Sequence, residues 1–195
     1  MKRKDILITG GAGYIGSHAV VELYNSGYRP IIVDNFSNSS IKNIEGIEQI
    51  IKDKVAFYKF DCTDINQMNQ LFKLENNIEA VIHFAAFKAV EESVREPKKY
   101  YDNNIGSLNI ILSMMKKYEL DNIVFSSSAC VYGIPEILPV SELAPFKKAE
   151  SPYGETKQLC EKLIDGADIN SISLRYFNPV GSHETCLIGD CSADK

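Results

Sequence analysis

The stretch Ile8-Thr9-Gly10-Gly11-Ala12-Gly13-Tyr14-Ile15-Gly16 decides the fold of this 195-residue chain. It joins an apolar run to a segment of helical period, so its glycines lie at a strand-to-helix turn. Glycine suits such a turn because the backbone needs unusual angles and must approach an anion closely. The helix N-terminus that follows attracts negative charge. The stretch therefore predicts a binding site for a dinucleotide pyrophosphate.

The glycine pattern has two registers. Gly11-x-Gly13-x-x-Gly16 and Gly10-x-x-Gly13-x-x-Gly16 fit equally well, and a glycine-rich turn without a ligand is the alternative. Asp34 ends the second apolar run, at the spacing where a carboxylate accepts hydrogen bonds from the adenosine ribose. Because a carboxylate repels a 2′-phosphate, NAD is favoured over NADP, unless Asp34 is a plain turn residue. Asp61-Cys62 follows the third run and is expected beside the adenine, the alternative being a simple strand end.

Short β-branched runs alternate with longer segments of helical period along the whole chain. Strands are predicted at residues 6–9, 31–34, 55–60, 80–84, 122–126 and 171–176, and helices at about 14–26, 41–53, 64–74, 97–118 and 153–165. This order predicts an α/β fold with a doubly wound parallel sheet of the Rossmann type. We expect one such domain over residues 1–181, followed by an irregular tail at 182–195.

Composition excludes several classes of function. The formal net charge of −5 comes without a basic face, so nucleic acid is an unexpected partner. No window approaches the roughly 18 apolar residues of a membrane helix, and the first strand begins too early for a signal peptide, so a cytoplasmic protein without a membrane partner is expected. Five cysteines without a C-x-x-C pair and three scattered histidines predict neither disulfides nor a metal site.

Tyr153 and Lys157 stand four residues apart at the start of a predicted helix, so their side chains share one face. A free phenol has a pKa of about 10, and lowering it to about 7 requires roughly 4 kcal/mol of preferential stabilisation of the phenolate. A lysine ammonium and a cationic nicotinamide are able to supply that stabilisation. The alternative is a surface tyrosine with a solvated lysine. Ser128, after a predicted strand, completes a Ser-Tyr-Lys group or is simply a turn former.

These residues belong to a longer set of blocks that resembles the extended short-chain dehydrogenase/reductase family and, within it, the nucleotide-sugar 4-epimerases. Nearly the whole chain is covered, and several blocks are more specific than the glycine turn. The blocks are residues 8–18, Val33-Asp34-Asn35, His83-Phe84-Ala85-Ala86 with Lys88, residues 100–104, Phe125 to Ala129 with Val131-Tyr132-Gly133, Ser151-Pro152-Tyr153-Gly154, and Leu174 to Gly181.

The resemblance implies NAD as the cofactor, a UDP-sugar as the substrate and a set of residues for each. For the substrate these are Lys88, Ser128, Tyr153 and Asn178. For the cofactor they are Gly10, Gly13, Tyr14, Ile15, Gly16, Asp34, Asn35, Phe36, Ser37, Asn38, Ser39, Asp61, Cys62, Phe84, Ala85, Ala86, Phe87, Lys88, Asn103, Tyr153, Lys157 and Phe177.

The resemblance also implies an activity, the interconversion of UDP-glucose and UDP-galactose in galactose metabolism. Tyr153 would be the base that takes the proton of the hexose 4-hydroxyl while hydride leaves C4 for NAD, and the keto sugar would then turn and receive the hydride on its other face. Lys157 would activate Tyr153 and hold the nicotinamide ribose, and Ser128 would bond the 4-oxygen. A homodimer through the helices near 97–118 and 153–165 is implied as well.

The chain departs from the family's pattern at three places. It stops 14 residues after Gly181, where the family continues into a smaller substrate domain, the link at 162–170 is shorter, and the stretch from Glu184 onwards drifts. We therefore expect a C-terminally truncated epimerase, with a non-catalytic NAD-binding module as the alternative. A nucleotide-sugar dehydratase is disfavoured because Ala129 and Cys130 stand where elimination needs an Asp-Glu pair.

Overall fold

The computed structural model describes residues 3–191, which fold around one six-stranded sheet in which every pairing is parallel. The strands lie in the order β3-β2-β1-β4-β5-β6. Their bounds are β1 Asp5–Thr9, β2 Arg29–Val33, β3 Ala56–Tyr58, β4 Ile78–His83, β5 Asn122–Ser128 and β6 Asn170–Tyr176. This arrangement confirms the predicted doubly wound α/β fold, because the order reverses at β1 and the strands alternate with helices.

Seven α-helices connect the strands within the described residues. They are α1 Tyr14–Asn25, α2 Ile41–Ile51, α3 Ile65–Leu74, α4 Val90–Arg95, α5 Pro97–Tyr100, α6 Gly106–Lys117 and α7 Pro152–Asp165. A π-helical turn, Tyr101–Ile105, joins α5 to α6, and a 3-10 turn, Ala129–Tyr132, follows β5. None of the helices formed by residues 3–191 is long and apolar enough to cross a membrane.

The alternation of side chains along β1 divides the core into two layers. Leu7 packs in one cluster with apolar residues of α3, α6 and α7, whereas Ile8 packs in the other with residues of α1 and α2. Both side chains are fully buried. Helices therefore cover the two faces of the sheet, and the carboxyl ends of the strands are left to meet at one edge.

One predicted helix differs from the structure. Where a single helix is predicted at 97–118, the chain forms α5, the π-helical turn and α6, and an additional helix, α4, precedes them. Pro97 separates α4 from α5, because the residue before a proline avoids helical angles and Glu96 has φ −129° and ψ 59°. The π-helical turn holds one more residue per turn than the apolar spacing indicates.

The segment after β6 folds back over α1 and α2. The Tyr14 hydroxyl donates to the carbonyl oxygen of Gly181 over 2.7 Å, and the side chain of Ile188 is buried in the α1–α2 cluster. Gly46 of α2 allows this packing, since a Cβ there would lie 2.2 Å from the carbonyl oxygen of Leu187. Helices and strands are absent from residues 177–191, and residues 192–195 of the predicted tail lie outside the described range.

Candidate active site

A cleft of about 420 Å³ opens at the carboxyl edge of the sheet. Of the residues predicted for cofactor and substrate, all line it except Phe36 and Asp61. The predicted residues that it brings together are Gly10, Gly13, Tyr14, Ile15, Gly16, Asp34, Asn35, Ser37, Asn38, Ser39, Cys62, Phe84, Ala85, Ala86, Phe87, Lys88, Asn103, Ser128, Tyr153, Lys157, Phe177 and Asn178.

The glycine turn after β1 depends on the absence of side chains at two positions. Gly10 has φ +68°, and a Cβ there would lie 2.8 Å from the backbone nitrogen of Ala85. A Cβ at Gly16 would lie 2.2 Å from the carbonyl oxygen of Gly10. Gly13 precedes α1, and no side chain caps the helix. The first turn of α1 thus presents backbone N–H groups at the cleft, as an anion requires.

Asp34 organises the wall of the cleft beyond β2. Its carboxylate accepts from the backbone N–H of Ala12 at 3.0 Å and of Phe36 at 2.9 Å, and from the Ser39 hydroxyl at 2.7 Å. The carboxylate is buried, so these bonds compensate its removal from water. Asp34 therefore connects the glycine turn to the loop at residues 34–40. This structural role is independent of its predicted contact with a ribose.

Phe36 and Asp61 support the cleft from outside it. The Phe36 backbone has φ 59°, and its ring packs edge-on against Phe57, with 6.3 Å between the ring centroids. Asp61 accepts from the side-chain amide of Asn35 at 2.9 Å and so orients a lining residue. The predictions that Phe36 and Asp61 contact the cofactor directly remain untested. In the structure, Phe36 contacts Phe57 and Asp61 bonds Asn35.

The π-helical turn places two adjacent asparagines in different surroundings. Asn103 lines the cleft, whereas Asn104 is buried and bonds both the backbone N–H of Phe87 at 2.9 Å and the hydroxyl of Thr156 at 3.2 Å. Asn104 therefore holds the loop after β4 against α7. Lys88, the next lining residue of that loop, forms an ion pair of 3.2 Å with Asp190.

The start of α7 fixes the predicted base. Ser151 caps the helix by accepting from the Gly154 N–H at 3.1 Å, and this places Tyr153 in the first turn. Tyr153 is only 9% exposed, and burial raises the pKa of its phenol. A hydrogen bond with the Ser128 side chain partly offsets this rise. Ser128 itself ends β5, with its hydroxyl oxygen accepting from the Cys130 N–H at 3.2 Å.

Lys157 lies beneath Tyr153 on the same face of α7. Its ammonium donates to the carbonyl oxygen of Ser126 over 2.7 Å and lies 4.8 Å from the centroid of the Phe125 ring. Burial lowers the pKa of Lys157 to about 8. The two groups share one face as expected, but the chain's own groups raise the pKa of Tyr153 instead of lowering it. Desolvation of the phenol is the largest cause of this rise in its pKa.

The side chain of His83 is neutral and lies near Lys157. The Nδ1 atom of His83 and the hydroxyl of Thr9 are 2.7 Å apart, and the imidazole stacks on Phe125 with 6.1 Å between ring centroids. Burial, with a smaller effect of the Lys157 charge, lowers the pKa of His83 to about 3. His83 therefore adds no positive charge beside Lys157 at neutral pH.

A charged network at the end of β5 was missed by sequence reasoning. Glu161 of α7 pairs with Arg175 of β6 at 2.7 Å and accepts a short hydrogen bond from the Ser127 hydroxyl. The two charged residues are 14 positions apart on different elements, so no local pattern indicates the pair. Further lining residues outside the prediction are Val33, Val90, Ser107, Ser126, Ser127, Cys130, Tyr176, Pro179 and Asp190.

A family model for the NAD dependent epimerase/dehydratase family matches residues 6–189. The chain belongs to the NAD dependent epimerase/dehydratase family. This membership confirms the resemblance found in the sequence. Among the described residues of this family member, no group of three or more His, Cys, Asp or Glu side chains is placed to hold a metal ion.

Two curated relatives show what the chain is similar to. The chain is 45% identical over 194 residues to a UDP-glucose 4-epimerase of Dictyostelium discoideum and 47% identical over 192 residues to one of Bacillus subtilis, matching 97% and 95% of this chain. In both cases the match covers 56% of the relative. The chain thus spans about half the length of the curated relatives it matches.

Solved structures agree with this family assignment. A UDP-glucose 4-epimerase of Bifidobacterium longum, in complex with NAD+ and UDP, superposes with a TM-score of 0.93 at 45% identity, over 97% of this chain and 58% of that one. A UDP-glucose 4-epimerase of Stenotrophomonas maltophila, with NAD and a formylated UDP-arabinopyranose, gives a TM-score of 0.93 at 42% identity, over 98% and 58%.

Proposed function

We propose that this chain binds NAD and provides the oxidising half of a UDP-glucose 4-epimerase site. The observation that carries the proposal is the convergence of Ser128, Tyr153 and Lys157 at the cleft that the glycine turn opens. The proposed base, its cationic neighbour and a hydroxyl donor thus line the same cleft as the glycine turn proposed for the pyrophosphate. The relatives named above, at 45–47% identity, support the same reaction.

The residues of the cleft fit a dinucleotide. Gly10 and Gly16 allow the backbone of the turn to pack closely where a Cβ would clash, and the first turn of α1 has no capping side chain. These features would hold the pyrophosphate. Asp34 stands where the adenosine ribose would lie, and its carboxylate favours NAD over NADP. When bound, NAD+ would accept a hydride from C4 of the hexose and return it to the opposite face.

The chain's own groups then move the proton. Tyr153 accepts the proton of the hexose 4-hydroxyl, and Ser128 donates a hydrogen bond to the same oxygen. Because burial raises the pKa of Tyr153, the phenolate needs positive charge close by, and Lys157 is the buried cation on its face of α7. Because His83 is neutral, Lys157 is the group that supplies this positive charge. Lys88 and Asn178, which also line the cleft, would contact the UDP-sugar.

Two measurements test this function. NADH fluorescence titration of the purified chain should show saturable binding, and incubation with UDP-galactose and NAD+ should yield UDP-glucose. A dehydratase would release water and form a 4-keto-6-deoxy sugar instead. Absence of NADH binding would contradict the proposal, whereas binding without conversion would support the NAD-binding module.

Three accompanying proposals concern the protein as a whole. We propose that residues 1–181 form the NAD-binding domain and that residues 182–195 are an irregular tail. We also propose a cytoplasmic location and a homodimer through α5, α6 and α7. The intact mass of the native protein would show the dimer and any retained NAD together, and a monomer at micromolar concentration would contradict the dimer.

A further inference from the structure

Glu161 is a buried carboxylate one helical turn beyond Lys157. Tyr153, Lys157 and Glu161 are spaced at intervals of four on α7, so they lie on one face of the helix. Glu161 is 4% exposed. Because a carboxylate is costly to bury unless it is paired and hydrogen-bonded, its partners determine whether the site can hold it.

Arg175 is the charged partner and connects three parts of the fold. Its Nε and Nη2 atoms donate to the two carboxylate oxygens of Glu161 at 3.0 and 2.7 Å. Its Nη1 atom donates to the Tyr132 hydroxyl and to the carbonyl oxygen of Glu142, both at 3.0 Å. The guanidinium also lies 5.1 Å from the centroid of the Phe146 ring. Glu161 therefore rests on a rigid, bidentate anchor.

Ser127 connects this anchor to the candidate active site. Its hydroxyl donates to Glu161, and it stands between Ser126, whose carbonyl oxygen accepts from Lys157, and Ser128. Because its hydroxyl is bonded to Glu161, the Ser127 side chain is held in place, and so are the two peptide groups that flank it. The end of β5 is thereby held in the position that both Lys157 and Ser128 use.

Glu161 also faces Lys157 electrostatically. The groups that surround the ammonium are His83 from β4 and Tyr153, Cys160 and Glu161 from α7. Burial lowers the pKa of Lys157, and the charges of Cys160 and Glu161 oppose that effect. Burial raises the pKa of the Cys160 thiol to about 11, so Glu161 is the carboxylate among these groups.

We propose that Glu161, anchored by Arg175, is a positioning residue that fixes the end of β5 through Ser127 and keeps Lys157 protonated. This inference rests on the proposed function for its catalytic meaning. Its physical content, the coupling of Glu161 to Lys157 and to the cleft, is measurable without turnover.

The test compares Glu161→Gln with Asp165→Asn, a matched loss of an exposed carboxylate on the same helix. Lysines labelled with 13C at the ε carbon are titrated by NMR, with the Lys157 signal assigned by its loss in Lys157→Met. Glu161→Gln should lower the pKa of Lys157 by about one unit and, because the protonated fraction at pH 8 then falls about fivefold, weaken NADH binding at that pH by about fivefold. Asp165→Asn should change neither.

The outcomes are decisive in both directions. An unchanged Lys157 titration and unchanged NADH affinity in folded Glu161→Gln would overturn the proposal, and thermal unfolding monitored by circular dichroism establishes that the variant is folded. If the parent chain binds no NADH, the proposed function fails while the Lys157 titration still decides the coupling. If Glu161→Gln does not fold, Ser127→Ala removes only the connecting hydroxyl, and unchanged NADH affinity in that variant overturns the proposal.

Discussion

The ammonium of Lys157 lies 5.9 Å from the centroid of the Tyr153 ring and donates its hydrogen bond to the carbonyl oxygen of Ser126. The lysine is thus close enough to act on the phenol through its charge, without forming an ion pair with it. Its position depends on backbone of β5 rather than on the state of Tyr153. The contact that holds Lys157 in place is therefore different from the contact through which it would act on Tyr153. The roles of the two residues can be tested by separate substitutions.

Replacing Tyr153 by phenylalanine should remove the base and leave the cleft intact. We expect turnover of UDP-galactose to fall by about 10²- to 10⁴-fold, while NADH affinity stays within about threefold because the ring and its packing remain. Steady-state kinetics and fluorescence titration measure the two effects. Tyr118→Phe is the control, since Tyr118 packs against Phe72 away from the cleft. Turnover equal to that of the parent would show that another group is the base.

Replacing Lys157 by methionine should stabilise the chain at neutral pH. Its pKa falls from 10.5 to about 8 on folding, so keeping the ammonium charged in the folded chain costs about 3 kcal/mol. Leaving the Ser126 carbonyl unpaired costs about 1–2 kcal/mol of that gain. We expect a net increase of about 1–2 kcal/mol in the free energy of unfolding at pH 7.

The sign of this effect depends on pH. Between about pH 8 and 10.5 the unfolded chain binds a proton that the folded chain does not, so the parent's free energy of unfolding rises with pH. The advantage of Lys157→Met should therefore disappear by about pH 10.5. Urea unfolding at both pH values measures it, with the exposed Lys162→Met as the control. A variant less stable than the parent at pH 7 would contradict the prediction.

Acidification should destabilise the chain through His83. Its pKa is lowered from 6.5 to about 3, so below pH 6.5 the unfolded chain binds a proton that the folded chain excludes. The stabilisation is complete above pH 6.5 and is lost as the pH falls, at about 1.4 kcal/mol per pH unit for one proton.

Urea unfolding between pH 6.5 and 5 checks this slope, above the range where most carboxylates titrate. His83→Gln keeps a hydrogen-bonding group and should flatten the dependence, whereas His18→Gln, at a half-buried position on α1, should retain it. An equally steep slope in His83→Gln would assign the effect to other groups.

A methyl group at Gly16 should distort the glycine turn. The added Cβ would lie 2.2 Å from the carbonyl oxygen of Gly10, which forces the turn to shift. We expect Gly16→Ala to weaken NADH binding by more than about tenfold. Gly106→Ala is the matched control, because that glycine is also helical and its Cβ would meet open space. The control should bind NADH normally and gain about 1 kcal/mol of stability, and similar affinities in both variants would contradict the assignment of the turn.

The fold was predictable because its signals are local. Each of the six strands was predicted close to its observed position, since β-branched runs and intervening helical periods are visible within short windows. The helix at 97–118 begins at Pro97 as predicted, but the π-helical turn inside it has no periodic signature. Apolar spacing alone does not reveal an inserted residue.

The site was predictable only in part. Glycines, Asp34 and the spacing of Tyr153 and Lys157 belong to patterns that the sequence displays directly. The pair of Glu161 and Arg175, and the pair of Thr9 and His83, arise where separate elements meet, and their burial decides their charge. The direction of the Tyr153 pKa shift also depends on desolvation, which no spacing of residues indicates.

The π-helical turn Tyr101–Ile105 makes this part of the chain sensitive to length as well as to composition. Each residue advances a helix by about 100°. Deleting one residue there would close the turn into regular helix and rotate the residues before it relative to α6. Asn104 would then lose its hydrogen bond to Thr156, and Asn103 would leave the cleft.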